Sequence, residues 1–586
     1  MIASKVINAT VHKPSLLKHH WKHIPWRKVI ECVRRLQIRI AKAWLKGDYG
    51  TVKDLQRLLL KSFYARLLAV KRVTSNKGSK TPGIDKVLWL SPITKMNAAI
   101  QLGKGPYKPS PLRRIHIPKK NGKTRPLGIP TMPDRAEQAL HLMTLEPISE
   151  STGDKHSYGF RPCRSTADAI AQCFTILARK DSPQYILEGD IKACFDEISH
   201  EWMLKHIPMD KETLRKMLKA GYMEKGIFHV TEVGTVQGGI ISPTLANMVL
   251  DGIENYLKLQ FGNRLKSHKV HFIRYADDFV ITANSEELLV NEIKPSLENF
   301  LNARGLRLSK EKTIVTHIQK GFTFLGQTIR KFKDKLIIKP SDKSIESLLD
   351  KIRDICNEHK QAKTGFIIEQ LNPIIRGWAN YHRHVVSSAT FTKVDSEIHK
   401  ILWRWVKRRH PNKNRSWIKE KYFKSFKDRN WVFSNDSDEE VYHQRLFRAS
   451  EIKIKRHIKL KQDANPFDEK WEIYFERRVR NKLLERRNGR KHAQYLLGKQ
   501  NNLCALCKEN ISSMNLGEYH FKQHWMHGGS HQDYNLMVVH PKCHESLHAR
   551  IDNELGPQNR GLTEGLEPYD GKLSCTVLRG EELVTI

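Results

Sequence analysis

Asp277 and Asp278 stand side by side in the segment His271-Phe272-Ile273-Arg274-Tyr275-Ala276-Asp277-Asp278-Phe279-Val280-Ile281-Thr282. Each flanking apolar run is long enough for a strand, which puts the acidic pair where the chain must turn. Adjacent carboxylates repel each other and resist burial, so stability gives no reason to place them there. A divalent cation resolves the conflict, and two aspartates on a hairpin tip suit metal-assisted phosphoryl transfer. An Asp-Asp pair also occurs in ordinary surface turns, so the reading needs a third acid. Asp190 supplies it, at the end of the apolar run Tyr185-Ile186-Leu187-Glu188-Gly189-Asp190 and ahead of a turn and a helix near His200 to Lys205. Between the acids lies Gly234-Thr235-Val236-Gln237-Gly238-Gly239-Ile240-Ile241-Ser242-Pro243. Its glycines permit close backbone approach to a nucleotide or template, and Gln237 offers both a donor and an acceptor.

The rest of the chain must position these acids and bring a polyanion to them. A net charge of +40 over 586 residues exceeds what solubility needs and implies nucleic acid, held in a steeply salt-dependent way. With 39% apolar residues and 12 tryptophans the chain builds real cores, which excludes a purely basic tail protein; its length suggests three or four domains. No apolar run is long enough to span a bilayer, so no membrane partner is expected. Nine cysteines in so long a chain form no disulfide framework and point to a reducing compartment. The first thirty residues are basic, which leaves an organelle open as the alternative to a bacterial cytoplasm with nucleoid association.

Helical spacing runs through Val29, Ile30, Val33, Leu36, Ile40 and Leu45, then Leu55, Leu58, Leu59 and Phe63. It recurs at 345, 348, 349, 352, 355 and 356, and around Phe366 to Tyr381 and Val394 to Val406. Trp403, Trp405 and the run Lys407-Arg408-Arg409-His410 suit an RNA surface, although helical tryptophans are more often core. Between Arg477 and Lys491 stand eight basic residues and one acid, a solvated face or a nucleic-acid contact. Near the C-terminus, Cys504-x-x-Cys507 and His540-x-x-Cys543 have the spacing of a tetrahedral structural zinc, a staple for a module with little core. After Ile551 the chain has seven acids against three bases and no periodicity, which reads as a disordered tail.

The order of Asp190, the Gln-Gly-Gly segment and Tyr-Ala-Asp-Asp resembles that of reverse transcriptases. The longer blocks resemble the multifunctional proteins encoded inside group II introns. They are Ile117-Pro118-Lys119-Lys120-Asn121-Gly122-Lys123-Thr124-Arg125-Pro126-Leu127-Gly128-Ile129-Pro130, Ser157-Tyr158-Gly159-Phe160-Arg161-Pro162, Leu308-Ser309-Lys310-Glu311-Lys312-Thr313, Gly321-Phe322-Thr323-Phe324-Leu325-Gly326 and Arg376-Gly377-Trp378-Ala379-Asn380-Tyr381-His382. Several motifs agree in order from about Trp26 to His548, with Val236 standing where the family usually has proline. The resemblance implies a multidomain α+β fold: a right-hand polymerase whose fingers and palm carry an antiparallel sheet, an α-helical thumb or maturase domain, and a small zinc-stapled ββα module of HNH type. It divides the chain into an N-terminal extension (1–85), fingers and palm (86–335), thumb and maturase (336–435), a basic DNA-binding region (436–500), the HNH-like module (501–550) and the acidic tail (551–586).

It further implies that Asp190, Asp277 and Asp278 hold two magnesium ions, and that Lys119, Arg125, Phe195 and Gln237 bind the incoming deoxynucleoside triphosphate. Lys119 and Arg125 flank the Asn121-Gly122 turn of an expected hairpin, from which cations lean over a triphosphate. Phe195 would pack under the sugar, or simply be core. Intron RNA would meet Lys407, Arg408 and Arg409, and a DNA target would meet Arg477, Arg478, Arg480, Arg486 and Arg487. In the module, Cys504, Cys507, His540 and Cys543 would hold the structural zinc. His520, His544 and His548 would take a further divalent ion, with Asn535 in support. The family's general base falls on Phe521, which accepts no proton, so a nuclease-impaired module is expected unless His524 substitutes. The expected function is RNA-directed DNA synthesis with intron binding, splicing assistance and mobility into DNA. A splicing-only maturase and a domesticated reverse transcriptase in repair or defence are the rivals. The oligomeric state stays open, a dimer among the options.

Overall fold

The computed structural model describes residues 21–547, apart from 119–121, 123, 427–428, 436–444, 485–488, 512–516, 524–528, 530–531 and 545. Lys119, Arg486, Arg487, His524, His548 and the acidic tail lie outside the described residues. In chain order the strands are β1 (Leu112–Pro118), β2 (Thr124–Ile129), β3 (Tyr185–Asp190), β4 (Tyr222–Glu224), β5 (Ile227–His229), β6 (His271–Tyr275), β7 (Asp278–Ala283), β8 (Ile314–His317), β9 (Phe322–Phe324), β10 (Gln327–Phe332), β11 (Lys335–Pro340), β12 (Phe423–Phe426), β13 (Arg429–Phe433), β14 (Glu518–Phe521) and β15 (Leu536–Val539). The fold is multidomain α+β, and among the described residues no helix is long and apolar enough to cross a membrane.

The central sheet has the order β6-β7-β3-β8 and is antiparallel throughout. Its inner strands read as continuous apolar runs because both faces are covered, and period-two alternation sorts their side chains into two cores. Leu187, Phe272, Phe279 and Ile281 join Leu142, Leu145, Leu245 and Val249 on one face. Ile186, Ile273 and Val280 meet Tyr158, Ala169, Ile170 and Cys173 on the other. The Met132–Thr152 helix is buried along nearly its whole length. It presents Leu142 and Leu145 to the sheet and Leu140 and Met143 to the helices Trp26–Leu45, Tyr49–Lys61 and Phe63–Thr74, the apolar stripe legible in the sequence. A second sheet, β2-β1-β4-β5, forms the neighbouring lobe.

After β9, β10 and β11 the helices Asp342–Glu358, Thr364–His382 and Ser388–Arg409 share one core with β12 and β13. The first starts on Ser341, whose hydroxyl accepts from the Ser344 N–H at 3.2 Å. Residues 452–470 then cross back over the central domain as a strap. Leu460 N–H donates to Asp168 at 2.7 Å, Lys455 N–H to the Arg383 carbonyl at 2.8 Å, and Arg34 stacks 4.2 Å over Phe467. This is a difference from the sequence reading, which gave the whole of 436–500 to DNA binding. Burial would raise the Asp168 carboxyl, but hydrogen bonds from His457 and Ser165 hold it down at about 2. The chain ends, among described residues, in the β14-β15 hairpin, packed on the helices Glu472–Leu484 and Gly489–Lys499.

The β6-β7 turn is seated by a buried ion network. Arg274, wholly buried, donates to Asn247 Oδ1 at 3.1 Å and to the Ala276 carbonyl at 3.2 Å, and pairs with Asp251. Asn247 in turn donates to the Gly159 carbonyl at 2.8 Å. Ala276 has the left-handed φ of 58°, and a Cβ on Gly159 would lie 2.3 Å from the Ala276 nitrogen. Gly159→Ala should therefore overpack the turn and lower stability by about 1–3 kcal/mol. Gly377→Ala meets nothing within 4 Å in its helix and should instead stabilise by up to about 1 kcal/mol. Thermal unfolding of the two variants beside the parent chain checks this pair; equal melting would contradict it.

Candidate active site and metal centres

Asp190 and Asp278 are direct cross-strand partners on β3 and β7, and Asp277 occupies the turn before β7. The register brings the three expected acids to one end of one sheet. Gly189 makes the close approach possible, since a Cβ there would lie 2.1 Å from the Phe279 ring. Burial raises the Asp278 carboxyl, and the charges of Asp277 and Asp190 push it further, to about 7. Burial also raises Asp277. Three acids that cannot all ionise comfortably in the bare protein form a donor set fitted to divalent cations.

Lys312 answers part of this charge: its Nζ donates to Asp190 Oδ2 at 2.8 Å, and that bond raises the Lys312 ammonium above its ordinary value. The turn carrying it is pinned by Ser309 N–H to the Asp190 carbonyl at 2.8 Å. Sequence reasoning quoted this block as a motif but assigned Lys312 no role; an ammonium two turns of chain away becomes visible only when the turn folds back onto β3.

Arg125, on β2, donates through Nε to Gln237 Oε1 at 2.8 Å, and Gln237 Nε2 donates to Asp196 Oδ2 at 3.2 Å. The Arg125 charge reaches Asp277 and works against the rise of its carboxyl. The structure thus joins two of the expected nucleotide contacts, Arg125 and Gln237, in one chain at the mouth of the acidic site. Glycines let the Gln237 loop fold so tightly: Gly238 has φ 112°, and a Cβ there would meet the Gly128 carbonyl at 2.6 Å. Phe195 is buried beneath the acids, its ring 6.2 Å from Phe160, in a crevice that Asp277 and Ala276 also line.

On the Ser388–Arg409 helix, Trp405 is core, with Nε1 donating to the His359 carbonyl at 3.2 Å. Arg409 stacks 4.6 Å over Trp405 and donates to the Ala362 carbonyl, so it holds the fold, whereas Lys407 and Arg408 are exposed. Beside them an open groove of about 510 Å³ is lined by His399, Lys400, Trp403, Arg404, Arg415 and Trp431. On the basic helix, Arg478 turns inward to the carbonyls of Ile458 and Lys459 at 2.9 and 3.3 Å, while Arg477 and Arg480 share its length.

In the terminal module the ligand atoms of Cys504, Cys507, His540 and Cys543 lie within 4.8 Å of one another. Burial opposes ionisation of Cys504, but N–H groups of Cys507, His540 and Leu506 bring its thiol down to about 6. Burial and the neighbouring sulfurs push Cys543 up to about 11, a crowding that a bound cation relieves. Asn535 pins the loop after β14, exchanging hydrogen bonds with the Gln523 backbone at 2.9 Å. Phe521 sits in the module's apolar core with Tyr519, Leu536 and Val538, so a histidine there would be buried away from His520 and His544. His520 and His544 are gathered with Glu476, a residue the sequence reading did not single out.

Three family models match the chain: the N-terminal domain of reverse transcriptase over residues 21–102, reverse transcriptase (RNA-dependent DNA polymerase) over 117–329, and the group II intron maturase-specific domain over 345–423. Protein YkfC of Escherichia coli (strain K12) is 34% identical over 338 residues, 51% of this chain and 88% of that protein. The group II intron-encoded protein LtrA of Lactococcus lactis subsp. cremoris is 33% identical over 370 residues, 50% of this chain and 61% of that protein. Maturase-like protein 1 of Euglena gracilis is 24% identical over 383 residues, 62% of this chain and 78% of that protein.

The raised Asp278 carboxyl makes the bare site a source of instability. Its cost begins as pH climbs past the unfolded value of 3.8 and is complete above about 7, because the unfolded chain ionises freely and the folded one does not. Asp278→Asn should therefore raise the melting temperature of chelator-treated protein at pH 8, with a smaller gain at pH 5. Thermal unfolding at both pH values measures it, and a variant that melts lower at pH 8 would contradict the electrostatic account.

Proposed function

The chain belongs to the family of group II intron-encoded reverse transcriptases with a maturase domain, and we propose that it copies RNA into DNA with Asp190, Asp277 and Asp278 as the polymerase site while its helical domain grips intron RNA to assist splicing. The cross-strand pairing of Asp190 with Asp278, beside Asp277 in the turn, is the observation that carries this reading. These three carboxylates would hold two magnesium ions, which when bound supply charge neutralisation for phosphoryl transfer. The chain's own groups do the positioning. Arg125, braced by Gln237, reaches over the acids to meet a triphosphate, and Lys119 would join it from the same hairpin. Phe195 under the site supports the sugar. Lys312 steadies Asp190 and keeps the local charge balanced before substrate enters.

Splicing assistance needs shape and charge rather than chemistry by the protein. Lys407 and Arg408, exposed at the end of their helix, and the Trp403–Trp431 groove with Lys400, Arg404 and Arg415 supply cations and exposed rings for RNA. The basic helix with Arg477 and Arg480, and Arg486 and Arg487 beyond it, would meet a DNA target. Cys504, Cys507, His540 and Cys543 would hold a structural zinc in a module whose cleavage is impaired, since Phe521 is core. A DNA-binding role for that module without strand cleavage fits these residues.

Loss of one metal ligand removes several kcal/mol of charge stabilisation, on the order of a thousandfold in rate. Asp277→Ala should lower DNA synthesis on a primed RNA template by about that factor and leave RNA affinity intact. Asp190→Asn with Asp277→Asn should still promote intron splicing, whereas Lys407→Gln with Arg408→Gln should weaken it, increasingly so as salt rises. Primer extension and splicing assays separate the two roles: synthesis retained by Asp277→Ala removes the polymerase assignment, and splicing lost in the double asparagine variant removes the division of labour.

A further inference from the structure

Glu476 lies on the basic helix Glu472–Leu484, yet its carboxylate turns away from solvent and into the hairpin of the C-terminal module, fully buried. Its Oε1 lies 3.3 Å from His520 Nδ1 and accepts from the Phe521 N–H at 3.0 Å. Its Oε2 lies 3.4 Å from His544 Nε2. The three ligand atoms fall within 4.8 Å of one another, and all three residues are buried. On its far side His544 Nδ1 is 2.7 Å from Glu518 Oε2. That contact fixes the Nδ1 proton toward Glu518 and leaves Nε2 as a lone pair facing Glu476, the arrangement by which a carboxylate orients a metal-binding histidine.

We propose that Glu476, His520 and His544 bind one divalent transition-metal ion of the zinc type, and that this ion bolts the basic helix to the C-terminal module. Two imidazoles and a carboxylate are a ligand set such ions accept, and burial of the site keeps competing water out. A carboxylate removed from water needs a compensating charge, and an ion between the three ligands provides one. The site shares no residue with the cysteine cluster, although His540, Cys543 and His544 follow one another along a single helical turn. Because the carboxylate comes from outside the module, the ion is a joint between two segments. DNA bound along the basic helix and the position of the hairpin are then mechanically coupled.

The full chain, produced in cobalt-supplied, zinc-limited medium, distinguishes the two centres. Two equivalents of Co2+ should be retained per chain. One shows the intense near-ultraviolet band of thiolate ligation and the other only the weak visible bands of nitrogen and oxygen ligands. Glu476→Gln should lose the second equivalent and keep the thiolate band unchanged. Glu518→Gln, which touches no metal, should weaken retention of the second ion about 10–100-fold. A parent chain with a single, thiolate-bound equivalent overturns the proposal, whether or not the variants fold. So does a Glu476→Gln chain that keeps both ions; a protonated His544 would then be the counter-charge to Glu476.

Discussion

Like charge held together against its own repulsion is the constraint around which the central domain is built. Asp190, Asp277 and Asp278 meet because an antiparallel register pairs β3 with β7, and a one-residue slip would send every side chain of β3 to the opposite face. The two cores on either side of the sheet fix that register, since Leu187 and Ile186 belong to different ones. The turn that carries Asp277 is gripped from below by Arg274, a guanidinium with no exposure to water, which binds the Ala276 carbonyl. A buried arginine without partners would be costly, and here Asp251 and Asn247 supply them. The strain of a left-handed Ala276 persists because Gly159, Asn247 and Arg274 together leave the turn no alternative.

Much of this was legible along the chain. The acids, the glycine segment and the apolar strands are local patterns, and so are the helical stripes at 26–63 and 345–356. In the latter, Leu348, Leu349, Ile352 and Cys356 are buried, and Ile345 and Ile355 flank them half-buried. What composition could not reveal is which of many cations faces inward. Arg409 and Arg478 belong to basic runs that look solvated, but one stacks on Trp405 and the other reaches main-chain carbonyls. Lys312 and Glu476 act on residues 122 and 44–68 positions away, a separation at which no periodicity carries a signal. The strap at 452–470 is similar: its polar sequence gives no hint that Asp168 and Arg383 await its backbone.

The excess of basic residues therefore serves two purposes that the net charge conflates. One set is structural and local: Arg161 and Arg164 close on Glu150, Arg445 on Glu451, Arg274 on Asp251. These pairs balance charge and contribute nothing to an outward field. The other set, with Lys407, Arg408, Lys400 and Arg404, remains exposed around aromatic rings, where it meets a polyanion at little desolvation cost. Removing a member of the first set leaves a buried opposite charge without its partner, whereas removing one of the second weakens nucleic-acid binding in proportion to salt. The distinction is geometric, and it decides which arginines can be altered without unfolding the protein.

The same difficulty recurs in three places with different atoms. In the central sheet three carboxylates converge; in the terminal module three sulfurs and an imidazole do; and between the module and the basic helix a carboxylate lies buried against two imidazoles. In each, the polypeptide alone leaves ionisation frustrated, visible as an Asp278 carboxyl near 7 and a Cys543 thiol near 11 beside a Cys504 thiol near 6. A protein meets such frustration either with its own cations, as Lys312 partly does at Asp190, or with ions from solution. The first solution is rigid and permanent. The second can be gained and lost, and it leaves coordination positions for substrate, which suits a site that must release its product. That Lys312 covers Asp190 while Asp277 and Asp278 keep raised carboxyls is consistent with a site left partly uncompensated so that a cation completes it.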